Sequence, residues 1–196
     1  MSKVRLYGAT SGYVELAAPD VSPDATLTLP STSGGFGKLV AVKHALKTDT
    51  QVESSVGAGA NFAVTDLSIT HTLADASNKL IISAYFGAAA TTVGEGVVGI
   101  GVADDGTLIG VGDAAGSRIR VASGGNVRLD SVAAVTMPSI TFVYEPGDAA
   151  SHTYTVRAIN IRGTTETIYI NRSEQDSNSA GYPRATSGFV IQEVKV

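Results

Sequence analysis

The fold class predicted by the sequence is all-β: an antiparallel, jelly-roll-like β-sandwich preceded by a short β-rich segment. Three observations carry that prediction. Short alternating apolar runs recur along the whole chain, as they do in half-buried strands. Between them lie turn formers, drawn from 22 glycines and from crowded Ser, Thr, Asp and Asn. No stretch sustains helical periodicity, and the Ala-rich pieces such as Ala88 to Ala90 are too short to nucleate a helix.

The first 37 residues read as a separate attachment segment, and residues 38 to 196 as the sandwich. Val4 with Leu6, Val14 with Leu16, and Leu27 with Leu29 form three short alternating runs. Gly8 to Gly12 and Pro19 to Pro23 divide them, and Gly34, Gly35 and Gly37 read as a flexible hinge. A ribbon of such short strands is marginal alone and needs a partner. Strands are then expected at Leu39 to Leu46, Val64 to Leu73 and Lys79 to Phe86, the last two joined by a polar turn, Ala74 to Asn78. Val97 to Ala103 and Thr107 to Val111 flank Asp104-Asp105-Gly106, where Asp-Gly is a strong hairpin signal. Arg118 to Ala122, Ser139 to Tyr144, Thr153 to Ile161, Thr165 to Asn171 and Gly188 to Val196 complete the set. The last of these is apolar on both faces, which predicts burial in mid-sheet or against another subunit.

Composition narrows the function classes. The net charge is −4 and only 16% of residues are charged, so nothing steers the chain to nucleic acid or anionic lipid. Cysteine is absent, which removes disulfides, thiolate chemistry and Cys-based zinc sites. No apolar run approaches the ~20 residues of a membrane-spanning helix, and no signal-peptide core follows Met1. Membrane insertion and secretion are not expected.

The candidate chemical motifs are weak. Gly110-Val111-Gly112-Asp113-Ala114-Ala115-Gly116 imitates a dinucleotide-binding run, but no helix follows to hold a pyrophosphate, so it reads as a loop. His44, His71 and His152 share no ligand spacing; His71 lies on one face with Leu67, Ile69 and Leu73 and reads as a hydrogen-bonded core histidine. Glu174, Asp176 and Asn178 lack the spacing of a Ca²⁺ loop, and Asn171-Arg172-Ser173 matches a glycosylation triplet without secretory context. A carboxylate pair for glycoside hydrolysis would have to come from Asp104, Asp105, Asp113, Asp130, Glu145, Asp148, Glu174 or Asp176, most of them in turn contexts. No Gly-x-Ser-x-Gly elbow is present, and tryptophan, a common sugar platform, is absent. No catalytic residue, metal or cofactor is expected. One polar loop stands out: Asp176, Asn178, Tyr182 and Arg184 carry the groups that bind and stack on a receptor or glycan. The competing reading is that Arg184 pairs with Asp176 and pins the loop.

Four stretches carry a family likeness. They are Gly8-Ala-Thr-Ser-Gly-Tyr-Val-Glu-Leu-Ala-Ala-Pro19 with Thr26-Leu-Thr-Leu-Pro30; Ala45 to Thr50 with Asp66 to His71 and Ala76 to Ile82; Ile109-Gly-Val-Gly-Asp-Ala-Ala-Gly-Ser-Arg118; and Tyr169-Ile-Asn-Arg-Ser-Glu-Gln-Asp176 with Tyr182 to Ser187 and the terminal Glu193. In this order they resemble domains of fibre and appendage proteins of tailed bacteriophages, especially marine and cyanobacterial ones. The resemblance implies a non-enzymatic homotrimer of the virion, assembled in the host cytoplasm. Its N-terminal segment would contact other virion proteins, and its loops a host-surface glycan or protein. No long shaft or dedicated anchoring domain of such fibres is expected in these 196 residues, a length that better fits a short fibre tip, a head-attached fibre or a capsid decoration protein.

Overall fold

In the computed structural model, the described residues are 3–7, 13–17, 39–90, 96–127 and 131–195. The chain divides into two units, Met1–Phe36 and Gly37–Val196. In the first, β1 (Lys3–Tyr7) and β2 (Tyr13–Ala17) form an antiparallel ribbon. Its register sets Val4 opposite Leu16 and Leu6 opposite Val14, so two of the three alternating runs pair with each other. The third run, at Leu27 and Leu29, and the glycines expected as a hinge lie outside the described residues.

The second unit is an all-β sandwich. One layer has the order β10-β8-β12-β5, built from Ser123–Val127 (β10), Gly96–Asp104 (β8), Ser151–Asn160 (β12) and Asn61–Thr72 (β5). The short strand β9 (Thr107–Ile109) returns along β8. In the β8–β9 turn Asp105 and Gly106 both have positive φ, 44° and 89°. That is the backbone that Asp-Gly accepts in a two-residue hairpin.

The other layer has two parts that meet end to end. The larger has the order β11-β6-β14-β3: Ser139–Tyr144, Lys79–Tyr85, Ser187–Val194 and Leu39–Lys47. The smaller has the order β4-β13-β7: Gln51–Val56, Glu166–Ile170 and Ala88–Ala90. β3 runs on into β4, β6 into β7, and β13 into β14, so all three chains break at one seam. Two of the breaks are short, Thr48–Thr50 and Phe86–Gly87, whereas the third is an excursion from Asn171 to Thr186. Asn171 closes the seam. It is fully buried at φ 60°, and its Nδ2 donates to the carbonyls of Lys47 (3.1 Å) and Asp49 (3.0 Å). Its Oδ1 accepts from Ser187 Oγ at 2.6 Å, and its backbone N–H donates to Gly87 O at 2.8 Å. A side chain on Gly87 would collide with Ala185 Cβ, which is why the chains can cross so closely there.

Between the layers lies one apolar core. Leu67, Ile69, Ile100, Val102, Tyr154 and Val156 of the first sheet meet Leu80, Ile82, Ile168, Ile170, Phe189 and Ile191 of the second. Fully burying one such side chain stabilises by about 1.5–3 kcal/mol. β14, the strand predicted to be apolar on both faces, sits in mid-sheet between β6 and β3.

The structure corrects the strand expected at Arg118 to Ala122, which is irregular; β10 begins at Ser123. The alternation of Ile119 and Val121 reports partial burial without strand pairing. Val121 packs where Gly99 of β8 leaves room for it, and Ile119 packs near Gly59. β4, β7 and β10 were not foreseen. An Ala-Ala-Ala run and a Ser-Gly-Gly-Asn-Val run have little strand preference, and only pairing with their neighbours makes them strands.

Candidate functional site

The excursion between β13 and β14 builds a cavity. Its base is an isolated bridge between Arg172 and Arg184, beneath which Ala185 N–H donates to Asn171 O. Arg172 lies over the Tyr169 ring at 4.9 Å and donates to the carbonyls of Ser173 and Glu174, which holds the outgoing arm. Tyr182 N–H donates to Ser179 O, and Tyr182 Oη to Gln175 Oε1 at 3.2 Å. The result is a polar cavity of about 320 Å³ lined by Asp176, Ser177, Asn178, Ser179, Tyr182 and Arg184. Ligand pockets run from roughly 300 to 1,000 Å³, so this one suits a small group such as a single sugar ring.

All four residues singled out in this loop thus line one cavity. The ion pair forms as well: Arg184 Nη2 is 2.6 Å from Asp176 Oδ1, and Arg172 Nη1 is 3.4 Å from Asp176 Oδ2. Asp176 is the sole carboxylate lining the cavity and is held by two guanidinium groups. A hydrolytic pair needs two carboxyl groups facing one bond, and this cavity offers one. Glu174 does not line it.

A second cluster escaped sequence reasoning, which read its acids as turn residues. His152 of β12 lies between two turns. Its Nδ1 is 2.8 Å from Asp104 Oδ1 and 3.5 Å from Asp105 Oδ2, and its Nε2 is 3.0 Å from Asp148 Oδ1. Tyr144 Oη donates to Asp104 Oδ2 at 2.8 Å, and burial together with that carboxylate pushes its pKa up to about 12. Asp104, Asp105 and His152 offer three ligand atoms within 4.8 Å of one another, but both ring nitrogens already face carboxylates. The arrangement staples the β8–β9 hairpin to the β11–β12 turn.

The hydrogen bond to Asp148 raises the His152 pKa, against the opposing effect of burial and with support from Asp104. Protonated His152 therefore favours the folded state. Its contribution is complete below the unfolded value of about 6.5 and fades as pH rises through the higher folded value. His152→Gln is expected to cost about 1–2 kcal/mol at pH 6. Urea unfolding should show its deficit against wild type shrinking by pH 9; a deficit independent of pH would rule out the charged staple.

The other histidines behave differently. His44 is exposed on β3, whereas His71 is buried on β5 with its Nε2 2.9 Å from Glu193 Oε2. The β5–β12 register sets His71 opposite His152, which their sequence separation did not suggest, yet the two serve different carboxylates. The run Gly110 to Gly116 is a loop with no helix after it, as expected. No helix among the described residues is long and apolar enough to cross a membrane.

No protein-family model matches the chain, and no curated protein matches it. Among solved structures, it is similar to that of the Gt strain of infectious bursal disease virus, with 15% identity and a TM-score of 0.42 over 97% of this chain and 50% of that one. A VP2 subviral particle of the same virus is similar at 14% identity and a TM-score of 0.41, over 96% of this chain and 49% of that one. The chain spans about half the length of these chains.

Proposed function

We propose that this chain is a non-enzymatic structural module of a virus particle: a homotrimeric, fibre-type appendage of a tailed phage that contacts a host-surface glycan. In this reading residues 1 to 37 attach it to other virion proteins, residues 38 to 196 form the exposed sandwich, and its place is the virion. The observation that carries the glycan contact is the cavity of the 171–186 excursion. A saccharide presents hydroxyl groups on an apolar ring. Asp176 and Arg184 supply a planar acceptor and donor, Asn178 an amide, and Tyr182 an aromatic face. With one carboxylate at the cavity, neutralised by arginine, binding without bond cleavage is the chemistry available.

The test is a glycan array probed with the full chain, followed by calorimetric titration of whatever saccharide is retained. Tyr182→Ala and Asp176→Ala are expected to weaken binding at least tenfold, since about 1.4 kcal/mol separates each decade. Retention of no glycan, or equal binding by both variants, would overturn the cavity as a receptor site.

A further inference from the structure

We infer that the outer face of the β11-β6-β14-β3 sheet is the surface through which copies of this chain pack on one another. The inference rests on the proposed oligomeric fibre and names the contact that such an assembly uses.

Registered residues of neighbouring strands point to the same side of a sheet, so the face can be read row by row. One row runs Val42, Gln192, Ile81, Val143; another runs Leu46, Gly188, Tyr85, Ser139. Val42 is 52% exposed, Leu46 59% and Val143 60%. Tyr85 apart, the ionisable side chains on this face are His44, exposed between these two rows, and Lys79, at a corner, where it pairs with Glu145. Depletion of charge beneath exposed apolar side chains marks the core of a protein interface.

The opposite layer behaves as a solvated face. Ser68 bonds Thr155 and Thr70 bonds Thr153, each at 3.1 Å, across its outer side. The middle row of the first face, His44, Val190, Ser83 and Thr141, also carries a hydroxyl pair, Ser83 with Thr141 at 3.0 Å, so the contrast between the layers lies in the exposed Val and Leu side chains.

Three features select a second copy as the occupant. The face is nearly neutral, so two copies of a chain carrying −4 meet there without repulsion. Four strands of about eight residues, about 4.8 Å apart with a rise of about 3.3 Å, give a surface of roughly 500 Å² in projection. A stable interface takes about 800 Å² of accessible area from each partner, and this face supplies the larger part of that. Finally, the edge strand β3 leaves Leu39, Val40, Val42 and Leu46 exposed, with Lys43 the one exposed lysine among them.

The experiment is sedimentation equilibrium of the full chain from about 1 to 100 µM, beside Val42→Glu/Val143→Glu and the control Ser68→Glu/Thr72→Glu on the other face. The expected result is an oligomer for wild type and control, and a weakening of association by at least ~100-fold for the Val pair. Circular dichroism verifies that each variant is folded. Should the Glu pair not fold, the single exchange Val143→Lys at the edge strand β11 reads the same contact. An oligomer untouched by these substitutions overturns this face while leaving the fibre reading standing; a monomeric wild type at 100 µM overturns both.

Discussion

Glu193→Leu is expected to destabilise the protein by about 3–5 kcal/mol, the cost of leaving buried polar partners uncompensated. Glu193 is 1% exposed on β14, and its carboxylate gathers three donors from the β5–β6 region. Oε1 accepts from Ala74 N–H at 2.8 Å and from Asn78 Nδ2 at 2.6 Å, and Oε2 meets His71 Nε2 at 2.9 Å. Leucine fills the space and orphans all three. Glu193→Gln keeps one acceptor oxygen and should cost about 1–2 kcal/mol. Burial pushes the Glu193 pKa up, but the bonds from Asn78, Ala74 and His71 outweigh it and leave the value lowered. Its contribution is therefore present above the unfolded value of about 4.3 and is lost as pH falls through the lower folded value. Urea midpoints for wild type and both variants at pH 7 and pH 3 check all of this. A leucine variant within 1 kcal/mol of wild type would mean that the network is not what joins β14 to the β5–β6 turn.

Asn171→Ala should cost about 3–4 kcal/mol, because it acts on the seam in two ways. It orphans the carbonyls of Lys47 and Asp49 and the hydroxyl of Ser187, all at the breaks of the strands. It also puts alanine at φ 60°, a left-handed backbone that asparagine tolerates better than alanine does. Asn171→Gly separates the contributions: it removes the same hydrogen bonds without the backbone penalty, and should be more stable than the alanine variant by about 1 kcal/mol. Thermal unfolding resolves such differences, since 1 kcal/mol moves Tm by about 2–4 °C in a domain of this size. Because Asn171 anchors the excursion, the alanine variant should also lose saccharide affinity in step with Tyr182→Ala. Equal stability of the alanine and glycine variants would remove the backbone part of this account.

Much of the architecture was legible in advance, for a physical reason visible element by element. Ser139 to Tyr144 alternates cleanly, so its limits coincide with β11, and Asp104-Asp105-Gly106 carried its own turn geometry in the Asp-Gly pair. The segment at Ile119 and Val121 failed because alternation measures which side chains turn inward, and a loop that half-buries Val121 against Gly99 and Ile119 near Gly59 alternates as a strand does. The cavity residues were legible as a polar, aromatic loop, and their convergence follows from one short return, Arg172 to Arg184. The His152 staple was illegible, since Asp104 and Asp148 approach it through the pairing of β12 with β8 and the turn that precedes β12.

By itself the sequence determined the all-β class, most strand positions, the hairpin turn and the loop that holds the cavity. Those properties are local: side-chain alternation, turn preference and the lack of a 3.6-residue period act within a few residues of each other. Tertiary structure alone decided that three strands break at one seam closed by Asn171, that Glu193 is buried beside His71, and that the exposed Val42, Leu46 and Val143 share one sandwich face. Each depends on which strands become neighbours, and long-range pairing is selected by the burial free energy of the whole core rather than by any one segment.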